Sequence, residues 1–309
     1  MPSVQWPEGK RFAFTVFDDP DSQPVAESRL IYGMLGDLGF RTTMGVWPAG
    51  PFREGNSRSD SCLNPAYLEH ALATQARGFE IGYHGNALRT SPREETAAGL
   101  EAFRGFFGQY PAAMANHYGN AEAIYWGPSR LSGLPKLIYR TVTGSKRANQ
   151  FFGEVEGHPY FWGDLCQARI QYCRNFVFKE INTLARCSMM PYHDPARPFV
   201  RQWYAGSEGA DAGKFLNTIS EANQDQLEAE GGACIMYTHF GKGFVENGQI
   251  TPRFRELMTR LAKKGGWYVP VTELLNHIRA GRGEHTLTDQ ERSQLEWRWL
   301  LQKLAGGTS

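Results

Sequence analysis

Arg11-Phe12-Ala13-Phe14-Thr15-Val16-Phe17-Asp18-Asp19-Pro20-Asp21 is the stretch from which the fold is read. A short run of β-branched and aromatic side chains ends abruptly in acids and a proline, the pattern of a strand running into a polar loop. Outward from it, Leu30, Ile31, Met34, Leu35 and Leu38 recur at helical spacing, and Gly39 closes that helix. Residues 42–47 read as a second strand, Asn64-Pro65 opens a helix to Ala76, and 79–84 form a third strand ending at His84. Ser91-Pro92-Arg93-Glu94 supplies a cap, a first-turn proline and an acid for a helix to about Phe107, and 112–116 is a fourth strand. The alternation returns late, with a helix at 212–229, a strand at 233–238, a helix at 252–264, a strand at 267–270 and a helix at 271–278.

Strands alternating with helices define βαβ units and a mostly parallel sheet, closed or open. Residues 125–205 read as irregular, aromatic and proline-rich, and are expected to be an insertion packed over the barrel or sheet. Residues 1–285 are taken as one domain and 286–309 as an amphipathic tail helix. There Thr288 is the cap and Trp297, Leu300, Leu301 and Leu304 share a face that docks on its own domain or on a partner subunit.

A chain of 309 residues has room for one large α/β unit or two ordinary domains, and buries enough surface to need no disulfide or structural metal. Its 33 basic and 32 acidic residues leave a net charge of +1, which argues against a protein that works by neutralising many nucleic-acid phosphates. The opening residues lack the basic-then-apolar pattern of a secretory leader, and no window approaches the length of a membrane span. Five cysteines without CxxC spacing fit a reducing compartment, so a cytoplasmic protein is expected.

The chemistry gathers at strand ends. Asp18 and Asp19 follow the first strand, His84 ends the third, His117 follows the fourth and His239 follows the strand at 233–238. In parallel α/β folds the carboxyl ends of the strands share one rim where ligands bind, so these residues are expected to converge. An aspartate with two imidazoles is a divalent-metal ligand set that leaves a position open. A second carboxylate can take a proton from water and a histidine opposite can protonate a leaving group. His158 and the pair His193-Asp194 lie in aromatic or polar surroundings that suit packing as well as chemistry. Trp6, Trp47 and Trp126 are open to rim or core, and His70, His277 and His285 are read as surface residues.

In this order and spacing the sequence resembles the polysaccharide deacetylase family, the NodB homology domain. Phe14-Thr15-Val16-Phe17-Asp18-Asp19 is similar to the family's TFDDG motif, with Pro20 in place of glycine. Glu80-Ile81-Gly82-Tyr83-His84 resembles the start of EIGNHTxxH, Asn116-His117-Tyr118-Gly119 stands where RPPYG is expected, and Cys234-Ile235-Met236-Tyr237-Thr238-His239 resembles the strand ending in LxH. The run 267–275 resembles the closing strand and helix. The resemblance implies a distorted (β/α) barrel of about seven strands. It further implies metal-dependent hydrolysis of an N-acyl group on a carbohydrate or glycoconjugate precursor.

Carried over, Asp18 is the base, Asp19 and His84 are metal ligands, and His239 is the acid. Leu88 occupies the position of the family's second histidine and Ala115 that of its third-motif arginine. His117 is therefore expected to restore the lost imidazole, giving a metal set of Asp19, His84 and His117. Asn116 and Tyr118 beside it, and Arg201 and Trp203 in the run nearest to a pocket-lining motif, are expected to bind substrate. The implied cofactor is one divalent ion, zinc first, with manganese, cobalt, nickel and iron compatible. The implied partner is a small or lipid-linked carbohydrate rather than nucleic acid, with homo-oligomerisation open through the tail. Two alternatives stand beside this reading: a metal-independent cyclic amide or ureide hydrolase of the same fold, and a non-catalytic glycan- or partner-binding member.

Overall fold

The computed structural model describes residues 4–49, 58–143 and 150–306. Residues 1–3 and 307–309, both used in the sequence reading, lie outside these. Eight strands carry the framework: β1 (Ala13–Asp18), β2 (Thr43–Val46), β3 (Glu80–Tyr83), β4 (Ala113–Met114), β5 (Tyr172–Phe178), β6 (Tyr192–His193), β7 (Gln202–Ser207) and β8 (Ala233–Thr238). All but β6 run parallel in the order β1-β2-β3-β4-β5-β7-β8. A pairing of β7 with β8 and a six-residue register of β8 on β1, from Ala13↔Ala233 to Asp18↔Thr238, close the ring. The result is the seven-stranded parallel barrel that the sequence implied.

β1 is buried along its whole length, because the barrel interior takes one face and the surrounding helices take the other. The helices are α1 (Val25–Asp37), α2 (Pro65–Ala76), α3 (Arg93–Phe107), α4 (Gly133–Thr143), α5 (Gly163–Arg169), α6 (Thr183–Arg186), α7 (Ala212–Thr218), α8 (Glu221–Ala229), α9 (Pro252–Lys263), α10 (Val271–Arg282) and α11 (Asp289–Leu304). No helix among the described residues is long and apolar enough to cross a membrane.

Four expectations change. Residues 125–205 are not only an insertion, since they supply β5 and the start of β7, two of the barrel strands. Polar residues inside β5, Arg174 and Asn175, hid that strand from a hydrophobic reading. The helix expected at 212–229 breaks into α7 and α8 around Ile219-Ser220, where Gln224 Nε2 donates to the Ile219 carbonyl at 2.9 Å. The strand expected at 267–270 shrinks to a single bridge between Trp267 and Ala13. The tail is a helix opened by a Thr288–Glu291 capping box, but its buried face is Arg292, Leu295, Glu296, Trp299 and Leu300, while Leu301 and Leu304 are exposed. Salt bridges from Arg292 to Asp194 and from Glu296 to Arg197 fasten that face to the chain's own barrel.

Candidate metal centre

The loops after β1 and β8 meet at the carboxyl rim, and Asp18 is what joins them. Its carboxylate accepts the Phe240 N–H at 2.8 Å and the Tyr32 hydroxyl at 3.0 Å, while the Asp19 N–H donates to the Thr238 carbonyl at 2.8 Å. Gly241 allows the approach: a Cβ there would lie 2.3 Å from the Ser22 carbonyl oxygen. Asp18 is wholly buried, and burial pushes its carboxyl well above the usual range against the pull of the Phe240 and Tyr32 hydrogen bonds. The side chain expected as the base is thus buried at the junction of the two loops and is not among those that line the cleft.

Asp19 does line it, and it is paired with an arginine. Arg174, from β5, donates to Asp19 through two parallel bonds of 3.0 and 2.6 Å, and both side chains are buried. Asp19 raises the Arg174 guanidinium above its ordinary value despite the opposing effect of burial. The Tyr237 ring lies 4.4 Å beneath the guanidinium and fixes its plane. Arg174 comes from β5, the barrel strand that follows Ala115 in the chain.

The carboxylate that meets the two histidines is Asp21. One oxygen of Asp21, His84 and His117 each offers a ligand atom, and these lie within 4.8 Å of one another. Asp21 Oδ1 is 3.1 Å from His117 Nε2 and Oδ2 is 3.3 Å from His84 Nε2, whereas Asp19 Oδ1 stands 3.6 Å from His84 Nδ1. Of the expected set of Asp19, His84 and His117, the structure brings both imidazoles together and adds Asp21 between them. Residues 84–92 form no helix, so the i,i+4 spacing that pointed to Leu88 has no geometric force in this chain.

The donor set fits a divalent cation on two structural grounds. Among the described residues, both ring nitrogens of His84 and Oδ2 of Asp21 are buried without a well-formed hydrogen bond, and such atoms are rarely left so. The Asn120 amide orientation is fixed by donation from Nδ2 to the carbonyls of Ala87 and Arg89, so its Oδ1 accepts from His117 Nδ1 at 3.0 Å. His117 Nε2 then faces Asp21 with a lone pair unless a positive species, a proton or a metal ion, lies between them. Burial works against charge on His117, but Asp21 outweighs it and raises the imidazole above its ordinary value; Asp21 is in turn held well below its own, against burial, by His117 and His84. Trp47 packs against both rings and donates its indole N–H to the His84 carbonyl at 3.0 Å.

His239 faces this group from the end of β8. Its Nδ1 donates to the Ala210 carbonyl at 2.6 Å, which leaves Nε2 turned to the cleft, 3.6 Å from Asp21 Oδ2. Burial lowers its affinity for a proton. The cleft holds about 370 Å³ and is also lined by Asn116, Tyr118, Trp126, Tyr237, Lys242 and Lys303.

The other expected residues are placed as follows. Asn116 forms part of the wall, with its amide engaged by the Ile124 N–H and carbonyl, and Tyr118 stands 60% exposed at the mouth. Arg201 and Trp203 lie at the amino end of β7, across the barrel from the cleft. Arg201 donates to the Gln167 and Ala168 carbonyls, and Trp203 is buried in the core, so neither can meet a ligand at this rim. His158 stacks on Phe152, His193 and Asp194 belong to the framework, and Trp6 packs on Trp267. His70, expected at the surface, is buried and bonded to Ser28.

Sequence reasoning passed over Asp21 and Arg174 as site residues. Asp21 was legible as a third acid beyond a proline. Arg174 was legible as a charge within the apolar run Tyr172–Phe178, which needs a buried partner.

No family model matches the sequence, and no curated protein matches it at the sequence level. Solved structures do match the fold. A candidate polysaccharide deacetylase from Mycobacterium smegmatis aligns over 93% of this chain and 97% of its own at a TM-score of 0.52 and 15% identity. A candidate polysaccharide deacetylase from Pseudomonas aeruginosa PAO1 aligns over 91% and 95% at 0.50 and 13% identity. The Puue allantoinase aligns over 91% and 95%, also at 0.50 and 13% identity. The chain shares the fold of these proteins, with a sequence far diverged from theirs.

Proposed function

We propose that this chain is a metal-dependent hydrolase that removes an N-acyl group, of the acetyl type, from a carbohydrate or glycoconjugate precursor. The observation that carries the reading is the convergence of Asp21, His84 and His117 beside the Asp19–Arg174 pair, with His239 opposite, in one cleft at the barrel rim. The likeness of fold to candidate polysaccharide deacetylases supports the substrate class. Asp21, His84 and His117 would hold the ion, zinc first. A bound divalent ion supplies Lewis acidity toward the acyl oxygen and toward water.

The chain's own residues divide the proton work. Asp19, fixed by Arg174, accepts a proton from water as that oxygen adds to the acyl carbon. The Ala210 carbonyl locks the tautomer of His239, whose Nε2 carries a proton to the amine nitrogen as the C–N bond breaks. Depression by burial makes the protonated ring a stronger donor. The products are a free acid and an amine. Five buried free cysteines support a reducing, cytoplasmic setting.

The test combines metal content by plasma mass spectrometry with acetate release from N-acetylated sugars. One divalent ion per chain, loss of acetate release in chelator and its return with zinc are expected. A chain that binds no zinc, manganese or cobalt would overturn the reading. Chelator-insensitive opening of a cyclic ureide would favour the alternative that the Puue allantoinase likeness keeps open.

A further inference from the structure

Trp126 lines the cleft but takes no part in the proton transfers. The chain leading to it is tightly fixed. The Asn116 side chain accepts the Ile124 N–H at 2.9 Å and donates to the Ile124 carbonyl at 3.0 Å, and Glu154 accepts the Tyr125 N–H at 2.9 Å. Tyr125 then turns through a φ of +45°, a left-handed conformation that an aromatic residue adopts only at a cost, and Gly127 follows at +57°. A Cβ at Gly127 would meet the Phe151 ring at 2.9 Å, so glycine is what lets the turn close. Left-handed residues on both sides therefore present one half-buried tryptophan to the cleft. Strain of this kind persists where the surroundings over-determine it, and it gathers at ligand clamps.

The ring is held as well as the backbone. The Arg130 guanidinium lies over it, 3.3 Å from its centre, and over the Trp299 ring of α11 at 5.4 Å. Arg130 is buried, and its Nε and Nη2 make no hydrogen bond among the described residues, so stacking rather than bonding from those atoms sets its plane. Trp299 is itself fully buried, which gives the stack a rigid back. A flat ring fixed before the ligand arrives avoids the entropy cost of immobilising a side chain on binding.

We propose that Trp126 is a stacking platform for the sugar ring of the substrate, with Arg130 as the residue that positions it. A pyranose carries C–H groups that a fixed indole can cover, whereas an acyclic N-acyl compound offers no such face. The proposal rests on the hydrolase reading for the words N-acyl sugar, and on Trp126 and its supports for the ring.

The test is saturation-transfer NMR on the full-length protein in chelator, so that no sugar is consumed. N-acetylglucosamine, N-acetylgalactosamine and N-acetylmannosamine are compared with N-acetylethanolamine, which carries the same acyl group without a ring. At least one sugar is expected to bind about tenfold tighter than N-acetylethanolamine, the worth of covering an indole face, and to show upfield-shifted ring protons. Trp126→Ala is expected to remove both the preference and the shift. Trp126→Leu, which keeps an apolar side chain over Arg130 but has no ring, gives the same readout should the first variant fail to fold. Arg130→Met keeps the indole but frees its plane and is expected to reduce the shift; an unaltered shift overturns the positioning role. No preference for any sugar over the acyclic amide, or a preference that survives in Trp126→Ala and Trp126→Leu, overturns the platform. Zinc-loaded protein separates the two readings. Stacking without acyl release keeps the platform and removes the hydrolase, while acyl release at an unchanged KM in Trp126→Ala does the reverse.

Discussion

Replacing Asp21 and Asp19 in turn separates the carboxylate proposed to hold the ion from the one proposed to move the proton. Structural zinc sites with four ligands are worth about 10–16 kcal/mol, or roughly 3–4 kcal/mol per ligand. Losing one ligand should then weaken affinity by about 10²–10³-fold. Asp21 stands 3.1 and 3.3 Å from the two imidazoles, so Asp21→Ala is expected to show that full loss. Asp19 is engaged by both nitrogens of Arg174, and Asp19→Asn is expected to lower affinity by less than about tenfold while abolishing acyl release. The assay is zinc competition against a chromogenic chelator, with urea unfolding of each variant to show that it is folded. Loss of zinc in Asp19→Asn with zinc retained in Asp21→Ala would refute the assignment and restore the one read from the sequence.

Three further outcomes are expected. Arg174→Met should destabilise the fold by about 3–5 kcal/mol by leaving Asp19 buried and unpaired. Adding Asp19→Asn should recover much of that, and an unchanged urea midpoint in the single variant would count against the pair. Asn120→Ala should cut zinc affinity by about 10–100-fold by freeing the His117 ring, at a cost of about 1–3 kcal/mol in stability from the Ala87 and Arg89 carbonyls it leaves unpaired, and unaltered zinc binding would show that the amide orients nothing. His70 is depressed to about 4 by burial, with Arg29 and Arg77 adding to it. Its folded value lies below its unfolded one, so its contribution is complete above about 6.5 and is lost as the pH falls toward 4, roughly 2–3 kcal/mol of stability by pH 4.5. His70→Gln should lose less stability than the parent between pH 7 and 4.5, and parallel slopes would exclude the buried-neutral state.

The periodicity of the chain determined much of this protein. Runs such as Phe14–Phe17 and the apolar repeat in α1 report local burial, and burial alternating between strand and helix defines a mostly parallel sheet, closed or open, to which the family resemblance added the barrel. The strand-end positions of His84, His117 and His239 followed from the same pattern, because a parallel barrel gathers its carboxyl ends whatever the spacing in sequence.

What the sequence withheld were the pairings. Which of three neighbouring acids faces the imidazoles depends on how Pro20 and Ser22 turn the loop and on how Gly241 lets the opposite loop approach. The arginine that holds Asp19 is 155 residues away, inside a strand whose polar residues made it read as irregular chain. The buried face of α11 likewise takes in Arg292 and Glu296 beside Leu295, Trp299 and Leu300, because Asp194 and Arg197 on the barrel side meet their charges. Periodicity is a property of neighbours along the chain, whereas a charge partner is chosen across space by burial, and only the closed barrel decides who is buried with whom.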